Sequence, residues 1–475
     1  MTAFGLLLLP ACLAASLRPI ALLQLALLTS VFEAAAAIAL GGLGLQPAML
    51  PSAMFSAFVL LQVLLGARYR GQNEIWRPLL PMTLFTGWAL AASIALPHFF
   101  AGQVSVYPQK LDPPFGAVLL SPAIAGVNQD LYLIVDYAML LSTSLFTSGT
   151  IVRPSRILNA YILSGYAAVA IGVWQLANKT VGIPFPDSFF YSNPGWSIHS
   201  SQQVSFVPRI NGPFSEPAAY AGFLVSVVCS TGWMALNGRT TLSVRVLLCC
   251  ALVMVLLSTS TTGYGVLVLF VAGLPVYAAL RGSGRLHRQI ARWSIILCVV
   301  MAGVSLATTA LFPNVIKAAD EVLTSTLGKQ DSDSYRERST ADADSLEMAV
   351  QTYGLGVGWG VNRSSSLIPG ILSNVGVIGA LGLTWFAVGM IRFVSRACRV
   401  MRDPDDLMVI HGATGAILGG LAAALLSGPS ITSVSFFILI GLLIGTSARV
   451  LVQAKAAYSS DPLRRQPGTF VSEAR

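Results

Sequence analysis

Arg209 and Glu216 stand in the run Arg209-Ile-Asn-Gly-Pro-Phe-Ser-Glu216-Pro217, where a polar stretch meets a long apolar segment. A guanidinium keeps its charge at any biological pH, and its planar fork binds phosphate oxygens bidentately. A positioned carboxylate can take the proton from a sugar hydroxyl. Together they read as half of a site for a phosphate leaving group and a hydroxyl nucleophile. Glu216 also has a plainer reading, because a carboxylate just ahead of a proline suits the first turn of a helix.

More charged groups fall in polar segments of the same kind. Arg336, Arg338 and Arg363, with Lys179, Lys317 and Lys329, are either phosphate ligands or solvated charges paired with Asp331, Asp333, Glu337 or Asp342. Such pairs are weak when exposed. Glycines 354, 356, 358 and 360 reject a helix between Tyr353 and Arg363, leaving either a nest of N–H groups that converge on an anion or a flexible return loop. Glu33 and Asp136 lie inside apolar segments, where a carboxylate is costly and lines a cavity, hydrogen-bonds a neighbouring helix or relays protons. Trp196 follows Phe185, Phe189, Phe190 and Tyr191, aromatics that serve as interfacial anchors or as platforms for sugar rings.

The elements that must position these residues are built for lipid. Of 475 residues 55% are hydrophobic and only 10% charged, and the mean hydropathy is +0.71. A soluble globule carries about 25% charged residues. Apolar segments of about 17 to 25 residues recur throughout, each able to satisfy its own backbone as a helix across the membrane. The fold class expected is an all-α polytopic bundle of about 12 to 14 transmembrane helices. Candidate spans start near residues 2, 19, 50, 79, 130, 157, 215, 246, 262, 293, 367, 408 and 431, and the first, Thr2 to Leu17, reads as a retained helix rather than a signal peptide. Residues 1–475 form one membrane domain, with an aromatic-rich loop at 179–214, a large loop at 313–366 containing a short helix from Asp344 to Thr352, and a tail at 452–475.

Arg68, Arg70, Arg77, Arg153, Arg156, Arg239, Arg245, Arg392 and Arg402 fall between alternate pairs of spans, which assigns that side to the cytoplasm. The long polar loops are then outside. The net charge of +9 is mainly this topological bias and gives no reason to invoke nucleic acid. The six cysteines avoid the outer loops, so no disulfide is expected there. Walker A, dinucleotide-binding and zinc-binding motifs are missing from the sequence, and no cofactor or metal is expected.

With these residues in view the chain resembles the bacterial O-antigen ligase and polysaccharide polymerase superfamily, most closely the exopolysaccharide polymerases of the Wzy type. The likeness rests on Arg209-x-x-Gly212-x-Phe214-x-Glu216-Pro217, on Leu257-Ser-Thr-Ser-Thr-Thr-Gly263, and on Gly356-Val-Gly358-Trp-Gly360 leading to Ser373-Asn-Val-Gly376-Val-Ile-Gly379. It covers residues 200–390. It implies a GT-C-like helical fold in the bacterial inner membrane whose loop 313–366 caps a cavity facing the periplasm. It also implies metal-independent transfer of a glycan from undecaprenyl pyrophosphate to a sugar hydroxyl, with inversion. By position, the family's external arginines correspond to Arg209 and to Arg336 or Arg338, with Arg363 the nearest basic group after the glycine-rich segment. A chain-length regulator and export machinery are the implied partners. Two departures, the absence of an arginine before Gly263 and of a histidine in the late loop, favour a polymerase over a ligase. A transporter using Glu33 and Asp136 is the rival from another class, but transporters of that kind show repeated halves, and no internal repeat is visible.

Overall fold

The structure is a computed structural model. It describes all residues except 41, 109–115, 123–124, 150–151, 197, 199–202, 205–206, 239, 282–283, 285–287, 293–294, 296–332, 429–430 and 460–475. The helices, in chain order, are α1 (Ala3–Ser16), α2 (Pro19–Thr29), α3 (Met49–Leu64), α4 (Gln72–Phe99), α5 (Ala125–Ser148), α6 (Ser155–Val181), the single turn α7 (Asp187–Phe190), α8 (Pro217–Leu236), α9 (Leu242–Leu257), α10 (Thr261–Arg281), α11 (Asp333–Gln351), α12 (Leu367–Val400), α13 (Pro404–Ser427) and α14 (Val434–Ser459). Strand among the described residues is confined to three two-stranded antiparallel hairpins.

Eight of these helices are long and apolar enough to cross a membrane, and α1, α2, α3 and α9 are shorter apolar helices. The protein is a multi-pass all-α membrane bundle. Because the long helices alternate in direction, the short connections at 65–71, 149–154, 237–241 and 401–403 share one end, which carries the arginine bias. The polar loops share the other, called the loop end below. The span expected near 293 lies outside the described residues. The span expected from 79 begins at Gln72 and contains Pro78, Pro81 and Pro97, which neighbouring helices make tolerable. The tail expected from 452 is still helix to Ser459, where Lys455 meets Glu74 at 2.5 Å.

Close packing, not apolar bulk, holds the helices together, since lipid is as apolar as leucine. Ser226 and Ser230 of α8 donate to the carbonyls of Ala416 and Gly412 on α13, both at 2.8 Å. Gly441 and Gly445 of α14 admit α5 to backbone contact. A Cβ on Gly445 would lie 1.9 Å from Thr147 Oγ1 and 2.5 Å from the Ser144 carbonyl oxygen. Gly445→Leu is therefore expected to separate α5 from α14, costing about 3 kcal/mol or more, with Gly445→Ala smaller in effect. The thermal melting of purified protein checks this, and an unchanged melt for the leucine variant refutes it. At the arginine-rich end, Arg449 of α14 pairs with buried Asp406 of α13 and reaches the Val152 carbonyl.

Above the bundle at the loop end sits a second small core. Ala92, Leu96 and Phe100 from the top of α4, Val104, Val106 and Leu120 from a hairpin, Met348 of α11 and Val357 pack there. α11 is longer than the helix expected from Asp344. Its mixed-charge first half is helical because charged residues face outward while Ser345 and Met348 turn in.

Candidate functional site

The Arg209–Glu216 run is held from below by one amide. Gln175, near the end of α6, uses its full hydrogen-bonding capacity on it. Its Oε1 accepts from the backbone N–H of Asn211 at 3.0 Å and of Gly212 at 2.8 Å. Its Nε2 donates to Asn211 Oδ1 and to the Tyr191 hydroxyl, both at 2.7 Å. Tyr191 in turn donates to the Gly212 carbonyl at 2.7 Å, and Asn211 Nδ2 donates to the Phe214 carbonyl at 2.7 Å. Gly212 adopts φ 52, and a Cβ there would lie 2.9 Å from the Tyr220 ring. Lys179 donates to the Arg209 carbonyl at 2.6 Å. The conformation of the run is thus fixed before any ligand arrives.

Glu216 occupies the N-cap position of α8, but its side chain makes no capping hydrogen bond. The carboxylate instead lies in the electrostatic neighbourhood of Arg209, together with Arg338 of α11 and Tyr264 of α10. Burial lowers the pKa of the Arg209 guanidinium, Glu216 opposes that shift and Arg338 adds to it. Two half-buried guanidiniums near one another repel unless an anion joins them. Arg338 also donates to Ser427 Oγ at 3.1 Å, at the loop end of α13.

Glu33 joins the same group. It does not lie in the middle of a span, as the sequence led us to expect, because α2 stops at Thr29. The alanine run that follows favours helix, but its backbone is bonded elsewhere. Ala34 N–H donates to the Pro213 carbonyl at 3.3 Å, Asn193 N–H to the Ala34 carbonyl at 3.1 Å, and Ala36 N–H to Ser192 Oγ at 3.1 Å. Tertiary partners override propensity. Burial, with the charge of Glu216, pushes the Glu33 carboxyl up to about 7.

The Ser-Thr-Ser-Thr-Thr-Gly stretch forms the break between α9 and α10. Thr259 has φ 49, a rare conformation for a β-branched residue and one that clusters at functional sites. Gly263 lets α8, α9 and α10 meet, since a Cβ would be 2.9 Å from Val255 and 3.2 Å from Ala221. This break starts the helix whose first turn carries Tyr264.

The glycine-rich segment is not a free anion nest. Val357 and Gly358 N–H groups donate to the Ser373 and Asn374 carbonyls at 2.8 Å each, and Val377 N–H donates to the Gly354 carbonyl at 2.8 Å. These bonds form where α12 is interrupted at Gly376, with φ 67 and ψ −166. The amides at the start of α12 are also taken. Asp342 of α11 accepts from Ser365 N–H at 2.7 Å, Ser366 N–H at 3.0 Å and Ser366 Oγ at 2.7 Å. α11 is thereby strapped across the loop end, with Arg338 one turn from its fastening.

The structure brings together Arg209, Glu216, Arg338 and Glu33. Arg336, one turn along from Asp333, is exposed, and so is Arg363, whose backbone N–H donates to the Tyr107 carbonyl at 2.8 Å. Asp136 is buried between helices of the bundle, its Oδ1 without a hydrogen bond, with Tyr132 one turn back in its electrostatic neighbourhood. Trp196 is half-exposed beside Asn193. The aromatics before it pack on one another and on the N-terminal segments, with Phe189 stacked on Phe4 and Phe190 on Phe32 and Phe185. Lys317, Lys329 and Asp331 lie outside the described residues, as do His199 and His287.

Sequence reasoning missed Gln175 and Tyr264, and it missed the part that Tyr191 and Asn211 play in holding the run. A signal existed for the first, a lone amide near the end of an apolar span. Arg209 and Arg338 with Glu216 and Glu33 can hold a polyanion while a carboxylate handles a proton. Among the described residues no group of three His, Cys, Asp or Glu side chains could hold a metal ion. No model of a known protein family matches the chain, and no curated protein matches it either.

Proposed function

We propose that this protein is a polysaccharide polymerase. It transfers a growing glycan from undecaprenyl pyrophosphate to a hydroxyl of another lipid-linked repeat unit, at the outer face of the bacterial inner membrane. The observation that carries the reading is the convergence of Arg209 and Arg338 with Glu216 at the loop end of a membrane bundle. Two guanidiniums suit the two phosphates of a departing pyrophosphate, whose growing negative charge they stabilise. The hydroxyl attacks the anomeric carbon in line and inverts it, and its proton passes to a carboxylate of the site. The strap α11, the glycine clasp and the Ser-Thr-Ser-Thr-Thr-Gly break support the family likeness by giving each of its motifs a structural task.

The test is the product left when the gene is deleted. Single lipid-linked repeats are expected to accumulate. Long lipid-linked polymer would instead identify a ligase that moves finished glycan to lipid A core, and single repeats held on the inner leaflet rather than exposed on the outer one would identify a transporter.

A further inference from the structure

Two carboxylates reach the site by different routes, and the notable one is Glu33. It stands on a non-helical segment pinned by Ala34 N–H to the Pro213 carbonyl and by Asn193 N–H to the Ala34 carbonyl. That pinning sets Glu33 beside the Arg209–Glu216 run, near enough to Glu216 for its charge to act on the Glu33 carboxyl. Glu216 lies on the other side of the pair, at the α8 cap, with Arg209 as its electrostatic partner. One carboxylate faces a cation and the other faces a carboxylate. When two acids occupy such unequal surroundings, the environments divide the roles of base and charge stabiliser between them.

We propose that Glu33 accepts the proton of the attacking hydroxyl, while Glu216 partners the Arg209 guanidinium and orders it. This rests on the polymerase reading. In the step, the hydroxyl O–H bond breaks and its oxygen bonds to the anomeric carbon. The carbon–phosphate oxygen bond breaks with its electron pair, which leaves on the pyrophosphate. The proton goes to Glu33 and from there to water. The groups around Glu33 that can alter its charge are Glu216 at the α8 cap, then Arg209, Arg338 and Tyr264 beyond it. The loop packed on residues 34–36 carries Asp187 and Tyr191, and Thr2 bonds to the Ala36 and Ala37 carbonyls. Burial and Glu216 set the Glu33 carboxyl at about 7, where a base is half-ready at neutral pH.

The direction follows. The active form is the carboxylate, so turnover rises as the pH climbs through about 7. Folding shows the opposite sign. A carboxyl raised in the folded state contributes stability below its ordinary value near 4.5, and that contribution is lost as the pH rises through about 7. A Glu33→Gln protein should therefore melt no lower than wild type at alkaline pH, which separates loss of a base from loss of the fold.

The experiment measures polymerisation of purified lipid-linked repeats across the neutral range. Glu33→Gln is expected to lower kcat by roughly 10²- to 10⁴-fold with little change in KM, and to remove the neutral-range rise. Glu216→Gln should lose rate and keep a rise that is moved to lower pH, because the charge that helps raise the Glu33 carboxyl is gone, and Glu33→Asp should recover part of the rate. Infrared difference spectra between acid and alkaline pH should contain a carboxyl band absent from Glu33→Gln, whatever the activity. If wild type polymerises and Glu33→Gln keeps its rate and pH profile, the assignment to Glu33 is wrong and the polymerase reading stands. If wild type makes no polymer from these substrates, both fall.

Discussion

An Arg209→Ala protein is expected to insert and fold but to make no long polymer, leaving single lipid-linked repeats. Removing one preorganised donor to developing negative charge raises a barrier by about 3 kcal/mol, roughly a hundredfold or more in rate. Arg209 should sit at the upper end of that range, because the backbone that follows its Cα is held in place. Lys179 holds its carbonyl, and Gln175 holds Asn211 and Gly212 a little further on. A guanidinium so placed loses little freedom on meeting a phosphate. Arg209→Lys should recover only a fraction, since a point charge cannot reproduce a bidentate fork. Arg338→Ala should cost less, because part of that side chain is already committed to Ser427, and Arg336→Ala should cost nothing measurable. The ordering Arg209, Arg338, Arg336 is the stringent part. Full-length polymer from a folded Arg209→Ala protein would overturn the site.

Gln175→Leu should affect stability and activity together. Leucine fills the space but leaves the buried N–H groups of Asn211 and Gly212 without an acceptor, and Asn211 Oδ1 loses a donor. An unsatisfied buried polar group costs about 1–3 kcal/mol, so the summed loss is on the order of 3–5 kcal/mol. The run between Arg209 and Glu216 would then shift, and polymerisation should fall even in protein that remains folded at low temperature. Gln175→Glu keeps the acceptor for both N–H groups but sets a second acceptor against Asn211 Oδ1, so it should not restore wild-type melting. Asn178→Ala, one turn further along α6 and bonded to the Ile183 carbonyl, is the control that should leave activity intact. Wild-type melting and turnover for Gln175→Leu would show that the amide does not position the site.

Which parts were legible in the sequence follows from the range of the forces involved. Apolar spans are written locally, and the segments near Pro19, Met49, Ser155, Pro217, Leu242, Thr261 and Leu367 became helices within a few residues of expectation. Arg209 and Glu216 were legible because both lie in one short run. Glu33 was misplaced, since an alanine-rich run reads as helix until Pro213, Ser192 and Asn193 compete for its backbone. The choice between Arg336 and Arg338 could not be made from a mixed-charge run. It depends on which face of α11 turns toward Ser427, and Asp342 fixes that face by fastening to Ser365 and Ser366. Glycines 354 to 360 were read correctly as non-helical, but their amides were bound by the broken α12, a partner sequence spacing does not reveal.

The fastening of the first residues to the Glu33 segment has a practical consequence for handling the protein. Thr2 donates through its N–H to the Ala37 carbonyl at 3.3 Å and through Oγ1 to the Ala36 carbonyl at 2.5 Å. A purification tag or fluorescent fusion placed ahead of Thr2 is expected to pull on the segment that carries Glu33 and to lower activity while leaving the protein well expressed. α14 runs to Ser459 at the opposite end of the bundle, which makes the C-terminal side the better place for a label or a surface tether.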